Sequence, residues 1–172
     1  MEIHAPYDQH IEVHKYYAGT IFGVVVLALA LEALLPVYFR SAAILELPLL
    51  ITIYFGLSRR NPSSGLLLGM VIGLAQDSLG HTPFGMYGIA KTFVGFFASS
   101  LGVKLDTESV GTRLLVVSGF YVVHQVVYFT IARGLVDLNL NWSWSRELWS
   151  AGANAVLGVF LFVLMDRLKQ RA

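Results

Sequence analysis

From Tyr17 to Phe39 the chain is almost unbroken in apolar side chains, and Ile21 to Ala30 holds no polar side chain at all. A bilayer core of about 30 Å needs roughly 20 such residues in a helix. No other feature restricts the fold as strongly. Five further apolar segments follow, at about 42–57, 64–79, 84–103, 112–135 and 147–168. The second contains Glu46 and Pro48 and is short, so it is expected to tilt or to thin the bilayer locally. The third is short and rich in glycine, the fourth carries Lys91, and the fifth carries His124 and Gln125. The first segment is expected to stay in the mature chain. Only Lys15 precedes it as a basic residue, no small-residue cleavage site follows, and its apolar run is span-length.

Composition supports the same class. Charged residues make up 13% of the 172, against about a quarter in soluble domains, and mean hydropathy is +0.65. These values exclude a soluble enzyme and a disordered chain. A net charge of +1 supplies no basic stripe for nucleic acid. The absence of cysteine excludes disulfides, thiolate metal sites and cysteine nucleophiles. The expected fold is an all-α polytopic membrane protein, a single domain (1–172) of six transmembrane helices after a tail at 1–16.

An even number of spans puts both termini on one side. The terminal side carries Lys15, the Arg59–Arg60 turn, Lys104 with Arg113, and the C-terminal Arg167, Lys169 and Arg171. The opposite side carries Arg40, Arg133 and Arg146. By the positive-inside rule both termini are cytoplasmic. Trp142, Trp144 and Trp149 fall at the opposite interface, where indoles partition. His10 and His14, four residues apart in the tail that also holds His4, have a spacing that suits a metal on one helix face. The reading adopted is a solvated tail. Asn141-Trp142-Ser143 fits a glycosylation sequon, but so short a match is discounted.

In the third segment Gly65, Gly69, Gly73 and Asp77 recur every four residues. Small residues at that spacing let another backbone approach closely, so this segment is expected in a tight helix pair. Gly19 and Gly23 form a second such pair in the first segment. Asp77 is either a ligand or ion site or a cap for the following turn and helix, and the structural role is preferred. Lys91 lies about two turns into the fourth segment. A lysine inside a span costs about 2.5–3.5 kcal/mol on insertion scales. It either pairs with Asp77 across the short Gly80–Pro83 turn or snorkels to the outer interface. Glu32 and Glu46 also need partners or water, and Glu46 is expected to face solvent near the outer side. His124 is a proton-relay candidate, but an interhelical hydrogen bond is the preferred role. No nucleophile–base set, paired-carboxylate site, zinc motif or phosphate loop is present, so no catalytic residue, metal or cofactor is expected.

From Leu47 to about Ser100 the pattern becomes specific. Pro48 opens a short segment, Tyr54 precedes a basic turn, and the Gly65/Gly69/Gly73 run leads to Asp77. A turn with Gly80, Pro83 and Gly85 follows, then the region of Gly95. Asn154-Ala155-Val156-Leu157 opens the last segment in the same style. In these features the chain resembles the bacterial rod-shape-determining protein MreD family. Lys91 and the long histidine-bearing tail depart from the pattern. The resemblance implies a fold similar to the substrate-binding S components of energy-coupling-factor transporters, and a non-enzymatic role in the rod elongation machinery. It implies as partners the bitopic protein MreC and, in the same assembly, a class B penicillin-binding protein, the glycosyltransferase RodA and the cytoskeletal MreB.

Two functions compete with a scaffold that presents a glycine face to MreC. A small-molecule transporter subunit would need an enclosed polar pocket, with Asp77, Lys91, Glu46 and His124 as its lining. Against it, the first segment has no A-x-x-x-A of the type S components use for docking. An intramembrane hydrolase lacks a nucleophile–base pair. The scaffold is the preferred reading.

Overall fold

The computed structural model describes residues 17–80, 82–102, 104–105, 109–138 and 142–168. The histidine tail, Asn141 of the sequon, and Lys15, Lys169 and Arg171 of the basic count lie outside the described residues. Within them the fold is all-helical. Six α-helices run α1 (Ala18–Tyr38), α2 (Leu47–Arg59), α3 (Pro62–Leu79), α4 (Met86–Leu101), α5 (Val110–Gly134) and α6 (Trp144–Asp166), with a 3₁₀ helix at Arg40–Ile44. Three of them, α1, α5 and α6, are long and apolar enough to cross a membrane.

The second apolar segment is not one helix. It breaks into the 3₁₀ helix, a step at Leu45 and Glu46, and α2 from Leu47. Proline has no N–H to donate and is tolerated only in the first turn, so α2 starts immediately before Pro48. At 13 residues α2 is the shortest α-helix described and also the most enclosed. Every residue from Leu47 to Leu57 is buried. It packs on α1, α3, α4, α5 and α6, and its side chains Leu49, Leu50, Ile53 and Phe55 have no exposure. Arg60 closes it in the left-handed conformation (φ 53°). Asn61 then opens α3, its side-chain oxygen accepting from the Ser64 N–H at 3.3 Å, with Pro62 in the first turn.

The α3–α4 pair forms the tightest seam. A Cβ on Gly65 would come within 2.8 Å of Ser99 Cβ, on Gly69 within 2.7 Å of the Lys91 carbonyl carbon, and on Gly73 within 2.7 Å of Gly88 Cα. The two helices therefore touch backbone to backbone in antiparallel register, and the glycine repeat is consumed inside the fold. Gly19 and Gly23 differ: both are exposed on α1 with nothing within 4 Å of an added Cβ. α1 is apolar on nearly all sides. Phe22, Leu27, Leu34 and Val37 are exposed, while Ile21, Ala28 and Leu29 face the bundle.

At the end formed by the close of α2 and α6 and the start of α5, Asp166 accepts from Arg113 at 2.6 Å and from the Tyr54 hydroxyl at 3.0 Å. At the opposite end Trp142 packs edge-on to Phe129 and Trp144.

Candidate functional site

Buried polar residues of the helices gather on the side of the bundle where α2, α4 and α6 begin. Glu46 is the N-cap residue of α2, at the step between the 3₁₀ helix and α2. Asn154, wholly buried in α6, fixes that step. Its carbonyl oxygen accepts the Glu46 N–H at 2.8 Å, and its amide donates to the carbonyls of Ile44 and Ser150, both at 2.8 Å. The Glu46 carboxylate then points to Lys91.

Lys91 has no exposed surface. Its Nζ lies 3.3 Å from Glu46 Oε2, 3.4 Å from His124 Nε2 and 4.5 Å from the centre of the Tyr87 ring. Opposite charge, a ring face and an imidazole lone pair together replace the hydration the ammonium gives up. With Lys91 donating, His124 Nε2 accepts. The imidazole is stacked on Tyr87 at 5.8 Å and 11°, and Tyr87 stacks in turn on Tyr128 at 4.8 Å. The cluster extends to α1 through Gln76, whose Nε2 donates to Glu46 Oε2 at 3.4 Å and to Glu32 Oε1.

Two sequence expectations are corrected. Lys91 neither pairs with Asp77 nor snorkels, and Glu46 does not face solvent, its side chain being only 15% exposed. The register explains both. The Lys91 backbone lies opposite Gly69, which is two helical turns, about 12 Å, from Asp77 along α3. From there the side chain leaves toward α2 and α5. The Asp77 carboxylate is already saturated. It accepts from the N–H groups of Gly85 (3.0 Å), Tyr87 (3.1 Å) and Gly88 (3.0 Å), the free donors of the first turn of α4. Asp77 thus caps α4 and stands apart from the cluster.

Of the residues singled out from sequence, Glu46, Lys91 and His124 meet, Gly65, Gly69 and Gly73 form the α3–α4 seam, and Gly19 and Gly23 lie free on α1. Sequence reading missed Gln76, Tyr87, Tyr128 and Asn154. A glutamine and an asparagine within apolar helices were the signal available, because buried amides need partners.

Two cavities flank the cluster and share Tyr87. One, of about 190 Å³, lies between α1, α3 and the turn into α4, lined by Leu29, Glu32, Ala33, Gln76, Leu79, Gly80, Thr82 and Tyr87. The other, of about 290 Å³, opens toward α5 and α6, with Glu46, Tyr121, Gln125, Tyr128, Arg146 and Glu147 among its lining. There Glu147 accepts from Tyr121 at 3.1 Å and from Gln125 at 3.0 Å.

The family model described as rod shape-determining protein MreD matches residues 14–171, nearly the whole chain. No curated protein and no solved structure matches it. The chain belongs to the MreD family, whose members are rod-shape-determining membrane proteins.

Proposed function

We propose that this MreD-family protein is a non-enzymatic scaffold of the cell-elongation complex in the bacterial cytoplasmic membrane. It crosses the bilayer six times, keeps both termini in the cytoplasm, and binds the transmembrane helix of an MreC-like bitopic protein. A class B penicillin-binding protein and RodA share the assembly, and MreB adjoins it on the cytoplasmic face. In this role it supports peptidoglycan synthesis and the maintenance of cell shape. An S-component type of architecture belongs to the same reading and rests on the family resemblance.

The family match over 14–171 carries the proposal. The geometry is consistent with it and narrows the docking face. Helices in lipid associate through close packing of small residues, since the hydrophobic effect gives no net gain there. The α3–α4 glycines are used internally, which leaves Gly19 and Gly23 as the open small-residue pair. The described basic residues support the orientation. Arg59, Arg60, Lys104, Arg113 and Arg167 lie at one end of the bundle, and Arg40, Arg133 and Arg146 at the other.

The test is a pull-down of the tagged protein from native membranes in mild detergent, with partners identified by mass spectrometry. The expected result is an MreC-like protein, recovered at least tenfold less with the Gly19→Leu/Gly23→Leu variant at equal expression. Recovery of nucleotide-binding subunits and a coupling protein instead would overturn the scaffold reading. The chain has no cysteine, so single cysteines at Arg60 and Trp144 test the topology by labelling from opposite sides of the membrane.

A further inference from the structure

The cavity of about 290 Å³ that opens toward α5 and α6 is lined by polar groups whose bonding capacity the fold leaves partly unused. Glu147 accepts from Tyr121 and Gln125 on one oxygen, Oε2. Glu46 accepts from Lys91 and Gln76 on one oxygen, also Oε2. Gln125 donates its amide nitrogen to Glu147 and to the Tyr121 hydroxyl, which leaves its carbonyl oxygen over. Among the described residues Glu147 Oε1, Glu46 Oε1 and Gln125 Oε1 have no hydrogen-bond partner, and none of the three is sealed from solvent. Arg146 belongs to the same lining and is exposed. It adjoins Glu147 in α6, but successive side chains on a helix do not face each other. Among the described residues neither of the two forms an ion pair.

We propose that this cavity binds a small zwitterion, its primary ammonium held by the free oxygens of Glu147, Glu46 and Gln125 and its anionic group by Arg146. A primary ammonium carries three N–H donors and no acceptor, which matches three open acceptor oxygens. A quaternary ammonium has no N–H and depends on ring faces. Here the Tyr87 and Tyr128 rings of the lining are stacked on each other at 4.8 Å. Charge selects the second half of the ligand. Lys91 balances Glu46 and Arg146 balances Glu147, so a ligand of zero net charge preserves the balance, whereas a bare amine or a bare anion upsets it. Ligand cavities run from about 300 to 1,000 Å³, and this one lies at the small end. An ethanolamine phospholipid headgroup and a free α-amino acid both carry this chemistry at that size. The proposal is independent of the scaffold role and of which partner α1 meets.

The test titrates the purified full chain, in an uncharged maltoside detergent at constant pH and ionic strength, with glycerophosphoethanolamine and with L-alanine. Tryptophan fluorescence reads the titration, because Trp142, Trp144 and Trp149, all the tryptophans of the chain, lie at this end of the bundle. Equilibrium dialysis of the radiolabelled compound gives the stoichiometry. Saturable binding of one molecule per chain is expected for at least one of the two. Glycerophosphoethanolamine alone would identify a lipid headgroup, L-alanine alone a soluble amino acid, and either supports the site. The N-trimethylated counterparts, glycerophosphocholine and alanine betaine, are expected to bind at least tenfold more weakly. Arg146→Gln and Glu147→Gln are each expected to weaken binding at least tenfold. Arg40→Gln, which removes an exposed charge at the same end but outside the lining, should leave it unchanged. Arg146 is exposed, so its variant keeps the test decisive if Glu147→Gln fails to fold. No saturable binding of either compound, equal binding of the trimethylated counterparts, or binding that survives Arg146→Gln would each overturn the proposal.

Discussion

Gly69→Ala and Gly23→Ala make the same chemical change in two helices and are expected to shift stability in opposite directions. At Gly69 the new Cβ would come within 2.7 Å of the Lys91 carbonyl carbon and 3.2 Å of the Thr92 nitrogen, where ordinary contact begins at 3.4 Å. Both obstacles are backbone atoms, so no rotamer change relieves them. The helices must separate by more than half an ångström, and contacts weaken along the seam from Gly65 to Gly73. Overpacking of this kind costs about 1–3 kcal/mol, and separating two backbones belongs at the upper end of that range. Alanine's better helix propensity returns about 1 kcal/mol. The net expectation is a loss of about 2 kcal/mol. At Gly23 nothing lies within 4 Å of the added atom, so only the propensity gain of about 1 kcal/mol remains. The two variants should therefore differ by about 3 kcal/mol. Reversible unfolding in mixed micelles titrated with SDS, read by tryptophan fluorescence, measures that difference. A Gly69→Ala protein as stable as wild type, or shifts of the same sign in both, would refute the seam argument. Gly69→Leu should fail more severely, with loss of folded protein and of partner recovery.

Three further perturbations probe the polar side of the bundle. Lys91→Met removes the ammonium 3.3 Å from Glu46 and should destabilise by about 3–5 kcal/mol; adding Glu46→Gln should restore part of this in the same unfolding assay, and full additivity would argue against the pair. Asn154→Leu deletes the acceptor for the Glu46 N–H and two amide donations, with an expected cost of about 2–4 kcal/mol, and amide exchange at the start of α2 should rise; unchanged exchange at Glu46 would count against the cap. Asp77→Ala uncaps α4 at about 1–2 kcal/mol, with faster exchange confined to Gly85, Tyr87 and Gly88; a uniform rise over α3 and α4 would point to a packing role instead.

The parts of this molecule that depend on local pattern were readable in advance. The apolar runs that become α1, α5 and α6 need only be long and unbroken. The four-residue glycine period announces a close helix contact because 3.6 residues per turn stacks those positions on one face. The polar cluster was not readable in the same way. Asp77 is 14 residues from Lys91 across a short turn, so proximity in sequence favoured it, whereas the true partner is 45 residues away. Glu46 reaches Lys91 from the step between the 3₁₀ helix and α2. That step leaves no periodic signature in hydropathy. Gln76 was hidden beside a more conspicuous carboxylate, and the role of Asn154 depends on a contact spanning 108 residues.

That last contact bears on how the protein is made. The start of α2 is synthesised early, but the side chain that accepts its Glu46 N–H belongs to the last helix. At about 5–20 residues per second, α2 waits several seconds for Asn154 to emerge. Until then the most enclosed helix of the finished protein must rest against lipid or the insertion machinery with the Glu46 N–H at its start lacking the Asn154 acceptor. Chains truncated before α6 never pass that point. They would present membrane proteases with an unfinished α2, so loss of the final helix should be read out as degradation of the whole protein and not as a protein with one surface missing.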